Sequence, residues 1–397
     1  MPRACAVIAA LLAAGCAGKS GGGGSADAES AAAFPSGASL YAATIVVGSP
    51  SANVNAVVFD GHNVWAALED SGQGYVDRLS SSGTVLSTTP VGIAPLEMAW
   101  DGQKLWVTDY TSDGITVVAA SGQVVKSIQL PSNAAPEGIF YDGKYIWVAN
   151  NGVGSSYSNT VSKYDPASMA LLANYPVGLS PDAIAFDGTY IWVTNSYNND
   201  VYRMNRETGA VLASYPTGTF PLSIIYDGRN LWIANGADAP AGSFVTGSVT
   251  KLRAYGGVNL GNFPAGSTVR GLAYDGSAIW TCNSMDNTFT RFNAADGARL
   301  GTYPTGARPR AMAFDGVRMW IANSSSNTVT VVGISASPAA NSAFHAGGRF
   351  GWEGPAPVLL NPVSSGVDAA FAGLVNSLPA TIPSVVGTII GNTLLGD

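Results

Sequence analysis

Charge is scarce in this chain. Asp, Glu, Lys and Arg make up 11% of its 397 residues, where an average soluble domain carries about 25%. Only 19 residues are Lys or Arg, against 26 Asp and Glu, and no basic cluster occurs anywhere. That excludes a nucleic-acid surface, which needs a stripe of cations to neutralise phosphates. Histidine occurs twice, so imidazole chemistry has few places to sit. Cysteine occurs three times, as Cys5, Cys16 and Cys282, too few for a disulfide framework. The apolar run Ala4 to Ala14 is 11 residues long, too short to span a bilayer.

One motif is abundant. An aromatic residue, Asp-Gly, three residues and Trp come round seven times, from Phe59-Asp60-Gly61…Trp65 to Phe314-Asp315-Gly316…Trp320. Successive aspartates stand 41, 41, 45, 40, 48 and 40 residues apart. A period in the low forties with four short apolar runs per unit predicts β-propeller blades, and seven units predict seven blades. In the unit 181–219 the strands fall at Ala183–Phe186, Tyr190–Asn195, Asp200–Met204 and Ala210–Tyr215. Asp187-Gly188 makes the first hairpin turn, because Gly tolerates positive φ and Asp bonds its own backbone. The seven Trp and the aromatics before each Asp read as core, and the seven Asp as turn residues.

Ring closure follows from a mismatch. The seventh unit has three strands (Ala311–Phe314, Arg318–Asn323 and Thr328–Ile334) and then runs into Ser335-Ala336-Ser337-Pro338. The segment Leu40–Gly48 matches the missing outer strand, so it is expected to complete blade 7. The fold class is therefore all-β: a seven-bladed β-propeller closed by an N-terminal outer strand, with a short helical C-terminal tail. The strands Trp147-Val148-Ala149-Asn150 and Trp192-Val193-Thr194-Asn195 resemble the YVTN family of propeller repeats. The resemblance covers roughly 41–334 and implies the fold without implying an activity.

The two ends have different characters. Arg3 followed by the short apolar run reads as an export signal. Its end, Leu12-Ala13-Ala14-Gly15-Cys16, resembles a bacterial lipobox, with Ala13 where that family prefers Leu or Val. The resemblance implies a signal peptide over 1–15, lipid attachment at Cys16, and a lipoprotein held outside the cytoplasm in a bacterial cell envelope. Residues 16–39 are Gly, Ser and Ala with almost no bulky side chain, and read as a flexible tether. Gly18-Lys19-Ser20 mimics a phosphate loop, but Ala13 stands where the first Gly belongs. The propeller is assigned to 40–334 and the tail to 335–397. In the tail, Val367, Phe371, Leu374 and Leu378 share a helical face between the Ser365/Asp368 capping box and Pro379.

Function is expected on the face that carries the loops leading into the inner strands and the loops after each Trp-Val-x-Asn, opposite the Asp-Gly turns. The two residues that open each inner strand give 14 positions around the axis. Five are charged: Glu97, Glu137, Asp182, Arg270 and Arg310. At the chain's average about one or two would be. The acids come from blades 2–4 and the bases from blades 6 and 7, so the mouth should be polarised, as a polar ligand site or as mutually paired charges. Two loops on that face are long, Asn150–Asn159 with Tyr157 and Asn235–Ser248 with Phe244, and their Ser, Gly and Asn content suits adaptable contact.

Three residues after Trp comes a ring of Asp109, Asn150, Asn195, Asn235, Asn283 and Asn323. These are Asx turns, or oxygen ligands for a hard cation such as calcium. A cation there would resemble the metal site of gluconolactonase-type propellers, whose motifs this chain lacks; otherwise no cofactor is expected. The repeats are also similar to streptogramin lyases, which use a histidine as base. Here His62 follows an Asp-Gly turn on the opposite face and His345 lies in the tail. The sequence therefore favours a binding or scaffold module for an envelope protein, glycan or small molecule over a lyase or lactone hydrolase, metal-dependent or not, at the same face. On the lipobox reading, Cys16→Ser abolishes acyl labelling and moves the protein out of the membrane fraction; unchanged labelling and retention would refute it.

Overall fold

In the computed structural model, residues 39–152, 159–236, 246–335 and 358–360 are described. They form seven antiparallel sheets. The inner strands are Asn53–Phe59, Pro95–Trp100, Pro136–Tyr141, Pro181–Phe186, Pro221–Tyr226, Val269–Tyr274 and Pro309–Phe314. Each inner strand lies beside the next, and the last lies beside the first. The chain is thus a closed seven-bladed propeller. Blade 4 runs Pro181–Phe186, Tyr190–Asn195, Asp200–Asn205 and Val211–Pro216.

Closure takes the expected form and goes one strand further. Ser39–Val46 pairs antiparallel with Thr328–Ser335, from Ser39 opposite Ser335 to Val46 opposite Thr328. Leu40, Tyr41, Ala43 and Ile45 are buried by this pairing. Val358–Leu360 of the tail then pairs with Leu40–Ala42 on the far side, giving blade 7 a fifth strand. The described residues contain no helix; the expected tail helix falls outside them.

The repeated Asp does more than turn the chain. In blade 4, Asp187 Oδ1 accepts the amides of Thr189 and Tyr190 at 2.8 and 2.7 Å, while Oδ2 accepts the indole N–H of Trp192 at 2.8 Å. Gly188 at φ 93° closes the turn. The Asp–Trp bond recurs in every blade at 2.6–2.9 Å. It satisfies the one polar atom of a side chain that is otherwise fully buried, at 0–1% exposure in all seven cases. The aromatics preceding each Asp differ from expectation. All seven are only half-buried, because they sit beside the turns. Tyr226 and Tyr274 donate their hydroxyls to the Gly228 and Gly276 carbonyls there.

The few cations are used between blades. Lys163 is 3% exposed; its Nζ donates to the Arg206 and Glu207 carbonyls in the next blade and lies over the Trp147 ring. Lys251 repeats this with Ala294, Ala295 and the Trp232 ring. Buried ammoniums are tolerated because carbonyls and ring faces replace their water.

Asp187→Ala leaves the Trp192 indole and two turn amides unpaired. It should lower unfolding stability by about 1–3 kcal/mol, against about 3–5 kcal/mol for Trp192→Ala. Denaturant midpoints measure both, and a wild-type midpoint for Asp187→Ala would refute the bonding role.

Candidate functional site

Every inner strand slips register near its start, as between Pro136 and Ile139 or Pro309 and Ala311. A bulge frees a residue from the ladder and re-aims its side chain. Glu137, Asp182, Arg270 and Arg310 fall inside these slips and Glu97 at the end of one. All five line a single cavity of about 130 Å³ at the axis. Crowding around the axis dictates small neighbours: a Cβ at Gly271 would run into the Arg310 carbonyl. Hydroxyls hold the bulges in place. Thr108 Oγ1 donates to the Glu137 carbonyl at 2.8 Å and accepts the Glu97 amide at 3.1 Å. Thr194 Oγ1 accepts the Ala183 amide at 2.9 Å.

The wall is divided by chemistry. Acids come from blades 2–4 and bases from blades 6 and 7, as the spacing implied. Blade 5 contributes Leu222, Ser223 and Ile224. The two arcs are not fully separate, because Arg310 Nη2 reaches Glu137 Oε1 at 3.0 Å across the ring. Their side chains keep 17% and 18% exposure, so the cavity meets solvent.

Asp182 is 4% exposed. Its Oδ1 accepts Asn151 Nδ2 at 3.3 Å, while its Oδ2 is buried with no donor among the described residues. Burial, then the adjacent Glu137 charge, raises its pKa well above the usual carboxylate range. Burial also pushes Glu97 up to about 7, opposed by Arg310 and reinforced by Glu137. Arg270 makes no hydrogen bond or ion pair among the described residues, and burial beside Arg310 draws it down to about 10. Three carboxyls thus face two guanidiniums around one cavity.

The other expected residues lie elsewhere. None of Asn150, Asn195, Asn235, Asn283 and Asn323 lines the cavity. Each donates its amide within its own blade, as Asn283 does to Thr288 and Thr290. Gly218 and Gly266 amides donate back to Asn235 and Asn283 at 3.1 and 3.0 Å. This is the arrangement of a structural Asx element. Asp109 accepts Thr116 Oγ1 at 2.6 Å and is raised by burial to about 6. No group of three His, Cys, Asp or Glu among the described residues is placed to hold a metal. Cys282 is fully buried, and burial pushes its thiol up, so it is inert. Cys16, Tyr157, Phe244 and His345 lie outside the described residues.

Sequence reasoning missed Tyr110, Asn151 and Ser196, which follow the Asx ring by one residue. Tyr110 feels the charges of Glu137, Asp182 and Arg310, Asn151 holds Asp182, and the Ser196 hydroxyl beside Asp182 opposes the rise in its pKa. The available signal was divergence: this repeat position reads Glu69, Tyr110, Asn151, Ser196, Gly236, Ser284 and Ser324, while the position before it is Asn or Asp in every blade but the first.

No family model and no curated protein matches the sequence. Solved structures match the shape. Hydrazine synthase of Kuenenia stuttgartiensis superposes with a TM-score of 0.63 at 18% identity, over 74% of this chain and 98% of that one. A streptogramin B lyase gives 0.61 at 17%, over 75% and 98%. Virginiamycin B lyase from Staphylococcus aureus gives 0.62 at 17%, over 74% and 99%. At such identity the likeness concerns the fold alone.

The raised carboxyls set a pH dependence. The folded state binds more protons than the unfolded one between the ordinary glutamate range and about pH 7, so stability falls with rising pH there. The contribution is complete below that window and lost as pH passes 7. Asp182 acts in the same direction. Glu97→Gln should flatten the melting-temperature profile between pH 5 and 8 and raise it at the alkaline end; a parallel profile would refute the shift.

Proposed function

We propose that the chain is a membrane-tethered, extracytoplasmic propeller that binds a polar ligand at the mouth of its channel. The observation that carries this reading is that Asp182, whose buried Oδ2 has no hydrogen-bond partner among the described residues, and Arg270 line one cavity. Ions removed from water cost several kcal/mol each unless paired. A fold that needed only stability would fill these positions as blade 5 does, with Leu222. The lipobox resemblance at Cys16 supports delivery to a bacterial envelope. The charge balance argues against nucleic acid. An envelope protein, a glycan or a small molecule remains compatible with the mouth.

One observation favours a second reading, a lyase or lactone hydrolase at the same face. Glu97, near 7, is poised to exchange a proton at neutral pH. Among the fold neighbours is a catalytically inactive His-to-Ala variant of virginiamycin B lyase with quinupristin. The described histidine here, His62, sits in an Asp-Gly turn, its amide bonded to Asp60. A divalent cation such as calcium belongs to this second reading, and elemental analysis of protein purified without chelator separates the two.

The main test is a screen of glycan, peptide and envelope-extract pools against wild type and Asp182→Asn. The variant should weaken binding of any mouth ligand by roughly 1–3 kcal/mol and leave the circular dichroism unchanged. A ligand that binds both proteins equally would move the site elsewhere.

A further inference from the structure

The cavity presents three chemistries at fixed places around one axis. Asp182, with Glu97 and Glu137, forms the acidic arc, Leu222 stands on blade 5, and Arg270 stands on blade 6. Asp182 Oδ2, on a side chain 96% removed from solvent, has no hydrogen-bond partner among the described residues, and the Arg270 guanidinium has only the charges of Glu137 and Asp182 opposite it. A ligand that satisfies both must carry a cation and an anion on one small frame. The cavity, about 130 Å³, holds at least about four waters at roughly 30 Å³ each. That is well below the 300–1,000 Å³ or so of sites for drug-sized ligands. A monocation alone would leave Arg270 unpaired, and a monoanion alone would leave Asp182 unpaired and face three carboxyls.

We propose that the axial cavity binds a free small aliphatic α-amino acid, of the size of glycine or alanine. Its ammonium lies against the acidic arc at Asp182, its carboxylate against Arg270, and its short side chain toward Leu222. The proposal rests on the mouth-binding reading above and names its ligand class. Both charged groups stand on one carbon, so an internal peptide segment, which carries neither, is excluded. Arg310 Nη2 is already engaged by Glu137 at 3.0 Å and only its buried Nε is open, which leaves Arg270 as the carboxylate partner. Binding should release protons. The ammonium favours the ionised forms of Glu97 and Asp182, which Glu137, Tyr110, Arg270, Arg308 and Arg310 also face.

Saturation-transfer NMR and calorimetry at pH 6.5 test this with glycine and L-alanine. The matched controls are ethylammonium, propionate and an equimolar mixture of the two. Saturable binding of L-alanine at least about tenfold tighter than either control, with loss of about tenfold or more in Asp182→Asn and in Arg270→Met, is the expected result. Heats measured in two buffers of different ionisation enthalpy should report proton release. Equal binding of ethylammonium or propionate overturns the assignment, as does the absence of saturable binding of either amino acid at millimolar concentration. Folding of both variants is checked by circular dichroism, and Glu97→Gln, which keeps the arc's shape, should lose affinity less than Asp182→Asn. If the pooled screen returns an Asp182-dependent ligand lacking the paired charges, the amino-acid assignment fails and the mouth reading stands. If no Asp182-dependent ligand exists, both fail.

Discussion

The bond from a tryptophan indole to the aspartate five residues before it carries the architecture. Each blade buries one Trp completely, and a buried indole N–H without an acceptor is costly. The carboxylate that supplies the acceptor also holds two amides of the turn between the inner and second strands. One side chain therefore sets the hairpin and the core together. That coupling explains why Asp, Gly and Trp recur at fixed spacing while the strands between them vary.

Rigid repetition of this unit leaves the opposite face free to diverge. The bulge at the start of each inner strand is the same in all blades, yet the residues it turns toward the axis differ. They include Glu137, Asp182, Leu222, Arg270 and Arg310. Five equivalent positions, in blades 3 to 7, filled with unlike chemistry line one cavity at the axis. In a chain this poor in charge, five charged residues around one cavity and buried lysines stapled to neighbouring carbonyls account for much of what the ionic side chains do.

The Asx ring shows how periodicity separates structure from function. Asn235, Asn283 and Asn323 recur at one position and make the same bonds in their own blades. The residues immediately after the ring vary more, from Tyr110 to Gly236, and there Asn151 reaches Asp182. Repetition marks what every blade needs; divergence at a repeated position marks what the axis uses.

The number of blades, the turn residues, the buried tryptophans and the closing strand were all legible in the sequence. Each rests on local periodicity or on a segment matching a gap in the repeat. The convergence of Glu97, Glu137, Asp182, Arg270 and Arg310 was legible too, because equivalent positions in a ring are neighbours by symmetry. What only the tertiary structure decided is how they pair. That Glu137 meets Arg310 from 173 residues away, while Asp182 Oδ2 is left open, depends on which side chains face one another across the ring. The fifth strand at Val358–Leu360, whose pairing with Leu40–Ala42 no repeat announces, was likewise decided only by the fold. Repeat spacing encodes which side chains share the axis, and close packing around that axis decides which of them touch.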